Sequence, residues 1–330
     1  MKKLYLSNSQ IETYLDCNRK WYIDKVERLR PNFTGSALIF GSAIDSTIEA
    51  YVEDKKVDYK KVFLKELANF EVNGKAKKFP KDVLSVKFFA SDVDPRLIKE
   101  TPELIVNYCK KLKIKTVDIL EFLEYCKDRR RVKEELLEKE QKLFNYMAYV
   151  TLQKKGLLIT EALVEWIDEN IAEVLGTQKR IEITNENGDK FVGYSDLIAI
   201  MKDGRKVLID LKTSSNPTIY YPEDSAETSR QLGIYSQEEE IEDVAYLVAN
   251  KKVFVRGDNR IKLSFVEGKI TEEHLDDIFD EIEAVTEEIK EKLVLGKGAF
   301  DKNKESCSKY GKCQYVDYCW KGKKDKLEKV

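Results

Sequence analysis

The stretch KFVGYSDLIAIMKDGRKVLIDLKT, residues 190–213, has the pattern of two β-strands joined by a tight turn. The two predicted strands, Lys190–Met201 and Arg205–Lys212, are rich in Val, Ile, Leu, Phe and Tyr, and such residues favour strands. The Asp203-Gly204 dipeptide between them is typical of a hairpin turn. Three polar residues on these strands are more than a plain hairpin requires: Asp196, Asp210 and Lys212.

The length of the hairpin loop decides whether the two aspartates can meet. A two-residue loop would leave Asp196 and Asp210 on opposite faces of the sheet, because a shift of one residue reverses every side chain. A three-residue loop, Lys202–Gly204, with Gly204 left-handed in a G1 bulge, places Asp196 directly opposite Asp210. Their Cβ atoms would then lie roughly 5 Å apart. Lys212 would point to the same face. We predict the three-residue loop.

Two directly opposed carboxylates repel each other unless a cation or a proton lies between them. Asp196 and Asp210 therefore indicate a site for a divalent cation, and carboxylate oxygens suit Mg²⁺ or Mn²⁺. The alternative is an ordinary half-buried hairpin whose polar side is solvated. The structure can distinguish these two interpretations, because a cation site requires the side chains of Asp196 and Asp210 to lie on one face of the sheet.

Three motifs around the hairpin resemble those of the PD-(D/E)xK nuclease superfamily, in its RecB/Cas4-like exonuclease branch. They are GYSD at 193–196, IDLKT at 209–213 and QLGIY at 231–235. The usual proline of the first motif is missing, because Gly-Tyr-Ser precedes Asp196. The resemblance implies a restriction-endonuclease-like α/β core, with a central mixed sheet flanked by helices, and hydrolysis of DNA.

The same resemblance assigns roles to five positions: Asp196, Asp210, Lys212, Gln231 and Tyr235. The two aspartates would hold the metal together with the backbone carbonyl of Leu211, and the lysine would orient or activate the attacking water. Gln231 and Tyr235 would lie on the following helix, beside the DNA backbone. Their spacing of four residues independently places both side chains on one helix face.

A helix is also predicted over residues 38–51, with Gly41 on its first turns. In the resembled family a G-x-x-x-H motif lies here, and its histidine contacts the metal. This chain has Asp45 at the histidine position. Aspartate is a hard ligand that suits Mg²⁺ or Mn²⁺, so we expect Asp45 to be a metal ligand. The alternative is a solvated helix residue beside a site with two carboxylates.

Three of the six cysteines, Cys307, Cys313 and Cys319, lie near the end of the sequence. Disulfides are not expected in a cytosolic protein, so this cluster indicates a metal site. Cys17 is the natural fourth ligand. The resemblance implies a 4Fe–4S cluster held by one N-terminal and three C-terminal cysteines. The spacing differs from the family's CxxC-containing pattern, and four thiolates suit Zn²⁺ equally well.

Composition excludes several function classes. His274 is the only histidine, which argues against HExxH metalloproteases, multi-histidine zinc hydrolases and Ser-His-Asp hydrolases. No P-loop motif is present. No apolar run approaches transmembrane length and the N-terminus lacks the apolar core of a signal peptide, so we expect a cytoplasmic protein. The net charge is −2, so DNA binding would require a local basic surface.

We predict four segments along the chain. They are the N-terminal helices of the nuclease domain with Cys17 (1–51), a helical insertion (52–159), the nuclease core (160–295) and the C-terminal cysteine segment (296–330). The first helix should open at Ser7 or Ser9, each of which matches a capping box. A helix over 160–176 should end at Gly176, followed by a strand over 177–184. The cysteine site would clasp the N- and C-terminal segments together.

The leading hypothesis is a metal-dependent DNA exonuclease that cleaves single strands or duplex ends. The resembled family works in DNA recombination, repair, phage DNA processing or CRISPR adaptation, often beside a helicase or an integrase. The alternative is a DNA-binding or scaffold protein on the same fold, catalytically impaired by loss of the motif histidine.

Overall fold

The structure is a computed structural model that describes residues 3–99, 102–113, 138–252, 261–309 and 312–330. Residues 114–137 of the predicted insertion lie outside these described ranges. The chain divides into two compact units. The first unit contains residues 1–31, 165–250 and 262–330, and the second contains residues 32–164 and 251–261.

The described strands and helices follow one another along the chain. The strands are β1 (Tyr5–Leu6), β2 (Leu29–Pro31), β3 (Thr34–Gly35), β4 (Asn69–Val72), β5 (Lys75–Lys78), β6 (Val86–Lys87), β7 (Ile171–Thr184), β8 (Lys190–Met201), β9 (Lys206–Ser214), β10 (Asp243–Asn250), β11 (Leu263–Lys269) and β12 (Leu327–Lys329). The helices are α1 (Asn8–Asp16), α2 (Asn18–Lys25), α3 (Ser36–Glu53), α4 (Tyr59–Ala68), α5 (Pro95–Lys99), α6 (Pro102–Leu112), α7 (Glu138–Asn170), α8 (Pro217–Tyr220), α9 (Arg230–Glu239), α10 (Glu272–Leu295) and α11 (Val316–Lys321).

A six-stranded mixed sheet forms the centre of the first unit. Its order is β1-β8-β9-β10-β11, and β7 also pairs with β8. β9 and β10 run parallel, as do β1 and β8, whereas β8 is antiparallel to both β7 and β9. The connection between the parallel strands β9 and β10 contains α9, as a crossover requires. The predicted mixed sheet flanked by helices is confirmed.

The hairpin of β8 and β9 has the register that a three-residue loop predicts. Leu197 lies opposite Ile209, and the Met201 N–H donates to the Arg205 carbonyl at 2.8 Å. Gly204 has a φ of 92°, which is the left-handed conformation that favours glycine. Continued by one step, this register sets Asp196 against position 210 on the neighbouring strand.

One face of the sheet packs against helices and also carries the polar residues. The buried cluster on this side takes Ile198 and Leu208 from the hairpin and Leu232 and Ile234 from α9. Because side chains alternate along a strand, Asp196 shares the face of Ile198, and Asp210 shares the face of Leu208. The predicted acidic residues are therefore directed towards the helices and are not on an open solvated face.

The boundary predicted near Gly176 is wrong. Helix α7 ends at Asn170, and strand β7 already begins at Ile171. Gly176 lies inside β7, where the pairing with β8 shifts register between Val174 and Gly176. Pairing with the long strand β8 outweighs the amphipathic pattern that favours a helix, since a glycine in a strand often marks a bulge and not only a helix end.

The N- and C-terminal segments of the first unit are joined by direct hydrogen bonds. Ser7 caps α1 as predicted, with its Oγ accepting from the Gln10 N–H. The Arg19 N–H donates to the Asp301 carbonyl at 2.9 Å, and the Ser306 hydroxyl donates to the Asp16 carbonyl at 2.7 Å. Strand β12 pairs with β2. These contacts hold the two ends of the unit together through protein groups alone.

The second unit consists mainly of helices, with short strand pairs β3–β6 and β4–β5. Helices α3 and α4 pack together, and Phe40 contacts Phe63 edge to face. The predicted helix 38–51 is confirmed within α3, which carries Gly41 and Asp45. None of the helices in the described ranges is long and apolar enough to cross a membrane.

Two glycines in helices of the second unit should respond oppositely to alanine. A Cβ at Gly156 would overlap the Phe63 ring, whereas a Cβ at Gly41 has nothing within 4 Å. We expect Gly156→Ala to lower the free energy of unfolding by about 1–3 kcal/mol through overpacking. Gly41→Ala should raise it by about 0.5–1 kcal/mol through helix propensity.

Urea unfolding of both variants beside the parent protein checks this pair. An unchanged stability for Gly156→Ala would show that α7 does not approach Phe63 as closely as described.

Candidate active site

The two strands of the central hairpin part at the point where the acidic residues lie. Pairing between β8 and β9 extends to Leu197 and Ile209, and β9 continues as a partner of β10 as far as Ser214. Asp196 Oδ2 accepts the Leu211 N–H at 2.9 Å. A side chain of β8 thus takes the N–H that β8 backbone would otherwise receive, and its carboxylate is fixed beside β9.

Asp210 is the more deeply buried carboxylate, with 1% of its surface exposed. Its Oδ1 accepts from Gln231 Nε2 at 3.0 Å, and its Oδ2 lies 2.5 Å from Lys212 Nζ. Apart from this ion pair with Lys212, Oδ2 has no hydrogen-bond donor in the described ranges. One oxygen of this buried carboxylate therefore retains capacity for another positive partner. We call Asp196, Asp210 and Lys212 the acid–lysine site.

The residues of the acid–lysine site shift one another's pKa values. Burial, and then the negative charge of Asp210, raise the pKa of Asp196 to about 7, although Lys212 and the Leu211 N–H oppose the shift. Burial alone would lower the pKa of Lys212, but the charges of Asp210 and Asp196 hold that pKa above its usual value. Lys212 is consequently an ammonium at neutral pH and acts as a charge and a donor.

Aromatic side chains surround the lysine. The Tyr246 ring centroid lies 5.9 Å from Lys212 Nζ, and Tyr246 also contacts Tyr221, with centroids 5.1 Å apart. The Tyr246 and Ser229 hydroxyls are hydrogen-bonded at 2.6 Å. Burial raises the pKa of Tyr246 to about 12, so its hydroxyl stays protonated. The Tyr246 ring thus lies within cation–π distance of the ammonium, whose side chain remains 28% exposed.

Helix α9 delivers Gln231 and Tyr235 to the same place. Ser229 caps the helix by accepting the Leu232 N–H at 3.1 Å. One turn apart, Gln231 reaches Asp210, and the Tyr235 hydroxyl accepts the Tyr194 N–H at 3.3 Å. The structure therefore brings together five predicted residues: Asp196, Asp210, Lys212, Gln231 and Tyr235. Their catalytic roles stay predictions.

Gln178 is a member of this site that the sequence analysis missed. Its Nε2 donates to Asp196 Oδ1 at 3.2 Å. The residue has a φ of 46° and lies between Thr177, which pairs with Leu197, and Lys179, which pairs with Ser195. Left-handed backbone is uncommon for glutamine, and the sequence around it contains no turn signal that would indicate it. The register of β7 against β8 therefore places Gln178 opposite Asp196, and no motif in the sequence indicates that register.

The chemistry of the donor set fits a hard divalent cation. Mg²⁺ is commonly bound by one or two carboxylates with water filling the other positions, and Asp196 and Asp210 supply two. Throughout the described ranges no three His, Cys, Asp or Glu side chains are grouped as ligands for one ion. Asp45 lies on α3 of the second unit, and its role, like that of the Leu211 carbonyl, stays a prediction.

The four cysteines predicted to form one site all lie in the first unit. All four are free thiols, and the Cys313 N–H donates to the Cys307 carbonyl at 2.9 Å. Burial raises the pKa of Cys313 and of Cys319, and the charges of Cys17 and Cys307 add to both shifts. Among the described residues, however, no three of these thiols are grouped as ligands of one ion. Binding of a metal by these thiols stays a prediction.

Comparison with known proteins finds one family whose model matches this chain. The family model of the PD-(D/E)XK nuclease superfamily matches residues 5–108 and 117–320. No curated protein matches the chain. A solved structure described as "Crystal structure of SSO0001" is similar over 51% of this chain and 70% of that chain, with 16% identity and a TM-score of 0.28.

The family match covers most of the sequence and includes every residue of the acid–lysine site. The chain therefore belongs to the PD-(D/E)XK nuclease superfamily.

Proposed function

We propose that this protein is a metal-dependent deoxyribonuclease, acting as an exonuclease on single strands or duplex ends of DNA. The observation that supports this most strongly is the convergence of two carboxylates, Asp196 and the buried Asp210, with a protonated lysine. A solvated hairpin face would not bury Asp210 or orient it with Gln231.

A bound Mg²⁺ or Mn²⁺ would supply Lewis-acid polarisation of the scissile phosphate and a water of lowered pKa. Lys212 would donate hydrogen bonds to the water or to the phosphoryl oxygens, and its positive charge would stabilise the negative charge that develops there. Asp196 and Asp210 would each present an oxygen to the ion. Leu211 and Gln178 hold Asp196 in place for this task.

Gln231 and Tyr235 would align the DNA strand with the acid–lysine site. Gln231 Nε2 donates to Asp210 Oδ1 at 3.0 Å and to the Tyr235 hydroxyl at 3.5 Å, so its amide oxygen is available to a hydrogen-bond donor of the substrate. Tyr235 lies against Gly193, where a Cβ would overlap its ring, so this strand and α9 are in close contact. A fixed helix at this position favours precise orientation of a substrate.

We further propose that Cys17, Cys307, Cys313 and Cys319 hold a 4Fe–4S cluster, with Zn²⁺ as the alternative. Support comes from four free thiols in the same unit, of which Cys17 and Cys307 raise the pKa of both Cys313 and Cys319, and from the absence of a disulfide among the described cysteines. Thiolates suit both iron–sulfur clusters and zinc. Such a group would add to the hydrogen bond that already joins Arg19 and Asp301.

A nuclease of this kind would act in DNA recombination, repair, phage DNA processing or CRISPR adaptation. A helicase, which supplies single strands, or an integrase, which uses processed ends, would be a suitable partner. The acid–lysine site itself is compatible with each of these settings.

Lys212→Ala should abolish DNA degradation in Mn²⁺, with a loss of roughly a hundredfold or more, because charge stabilisation at the phosphate disappears. Lys206→Ala is the matched control, since Lys206 lies on the same strand and is exposed. The assay compares labelled linear single-stranded and duplex DNA with circular DNA, with EDTA as the blank.

Degradation of linear DNA but not of circles would support an exonuclease. Full activity in Lys212→Ala would contradict the proposed role of the lysine. Binding of DNA without cutting by the parent protein, under every divalent ion tested, would favour the scaffold function instead.

The protonation of Asp196 predicts a pH dependence. Its folded-state pKa of about 7 lies above the usual value of roughly 4, so its contribution to stability is complete below pH 4 and is lost as the pH rises through 7. We expect the Tm of metal-free protein, relative to Asp196→Asn, to fall between about pH 4 and pH 7. The Tm increase caused by Mn²⁺ should grow over the same range, because the ion displaces a proton.

Thermal unfolding of both proteins, with and without Mn²⁺, checks these opposite slopes. An Asp196→Asn protein with the same pH profile and the same response to Mn²⁺ would disprove the assignment.

Cys313→Ser should yield colourless protein with little iron and sulfide and a lowered Tm, because a ligand of the proposed cluster is lost. Cys109→Ala is the control, since Cys109 is a buried free thiol of the second unit. Metal and sulfide analysis of protein purified without oxygen gives the readout. Equal metal content and stability in Cys313→Ser and the parent would refute the cluster.

A further inference from the structure

A pocket of about 520 Å³ lies in the first unit where the end of α2 meets the C-terminal strand. Its polar lining residues are Glu27, Arg28, Tyr318, Lys324 and Lys329. None of them belongs to the acid–lysine site.

Backbone pairing fixes the walls of this pocket. β12 runs antiparallel to β2, so Lys329 lies opposite Leu29, and the Val330 N–H donates to the Arg28 carbonyl at 2.9 Å. Arg28 has a φ of 53°, and this left-handed residue turns the chain from α2 into β2. Lys329 and Arg28 are thus carried by a paired strand and a fixed turn, and Lys324 precedes β12, where its carbonyl accepts the Leu327 N–H at 2.9 Å.

Positive charge at the pocket is not neutralised from within. Among the residues that the structure describes, Arg28, Lys324 and Lys329 have no carboxylate partner, whereas Glu27 is held by Lys297 at 2.6 Å. The surrounding sequence repeats this bias, since residues 302–330 contain nine lysines and four acidic residues in a chain of net charge −2. This pocket therefore lies in a basic region of the kind that DNA binding requires of a nearly neutral protein.

An aromatic ring accompanies the cations. Lys324 Nζ lies 5.4 Å from the centroid of the half-buried Tyr318 ring. A bare phosphate would use the cations alone. A nucleotide can use both features, because its phosphate binds the cations and its base stacks on the ring.

We propose that this pocket is a second nucleotide-binding site, in which Arg28, Lys324 and Lys329 hold a phosphate and Tyr318 stacks on the base. As part of the same protein, it would hold one nucleotide of a single DNA strand away from the acid–lysine site. The choice of DNA as ligand rests on the proposed function, whereas the recognition of a nucleotide is inferred from the pocket residues alone. Free nucleotides share that chemistry and are therefore included in the test.

The test measures binding of a short fluorescent single-stranded oligonucleotide to the full chain by anisotropy, in EDTA so that no cleavage occurs. Lys324→Ala should weaken binding at least about fivefold and reduce the slope of log K against log salt by roughly 0.7, the value for one phosphate contact to a single strand. Lys326→Ala, which removes the same charge from an exposed neighbour outside the pocket, should have a much smaller effect.

Substitution of Tyr318 separates stacking from charge. Tyr318→Leu should weaken binding at least about fivefold, and Tyr318→Phe should retain it, since a base–aromatic stack contributes at least about that factor. Tyr318 also packs near Cys313 and Cys319, so circular dichroism must confirm folding of the leucine variant. Lys324 is exposed and outside that cluster, so its variant tests the pocket even if the leucine variant fails to fold.

Equal effects of Lys324→Ala and Lys326→Ala would overturn the proposal, because they would indicate diffuse attraction and no pocket. Competition by dAMP would support a site for free nucleotides, and failure of dAMP beside a large Lys324 effect would support a site for a strand. Protein that never cuts DNA but shows the Lys324 effect would refute the nuclease function and keep the pocket. Protein that cuts but lacks the effect would refute the pocket alone.

Discussion

The hydrogen bond from the Leu211 N–H to Asp196 is the interaction on which the acid–lysine site depends. It forms where β8 and β9 stop pairing, so a side chain satisfies a backbone donor that would otherwise be left unpaired. The same divergence lets β9 continue beside β10 and bury Asp210 below α9. Two carboxylates are thereby held near each other, and the positive charge of Lys212 offsets only part of their mutual repulsion. One more cation would therefore stabilise the site further.

How much of this was accessible from the sequence depended on the kind of signal. The Asp203-Gly204 turn and the alternating strand residues locate the hairpin but leave two registers open, of which the predicted three-residue loop is confirmed. The spacing of Gln231 and Tyr235 places both on one helix face, because this signal is local. Gln178 could not be found, since its position depends on a left-handed residue and on the register of β7 against β8. The helix end expected at Gly176 failed for a related reason: long-range pairing with β8 outweighed local periodicity.

Charge distribution connects the two proposed DNA-contacting regions. A net charge of −2 gives no general attraction for DNA, yet the C-terminal segment concentrates lysines near the pocket lined by Arg28 and Tyr318. The acid–lysine site instead concentrates negative charge, which suits a cation and not a bare phosphodiester. A strand held by its phosphates in the basic pocket would be bound without relying on the acidic site. The hydrogen bond between Arg19 and Asp301 keeps the terminal segments in place.

The most direct test of the central claim is the anomalous diffraction signal of crystals grown with Mn²⁺. A single strong peak should lie between the carboxylates of Asp196 and Asp210, within about 2.0–2.6 Å of an oxygen of each, the range for hard cations on oxygen ligands. The Leu211 N–H should still donate to Asp196 in that crystal. Absence of a peak at this position, or an Asp196 side chain turned away from Asp210, would contradict the account.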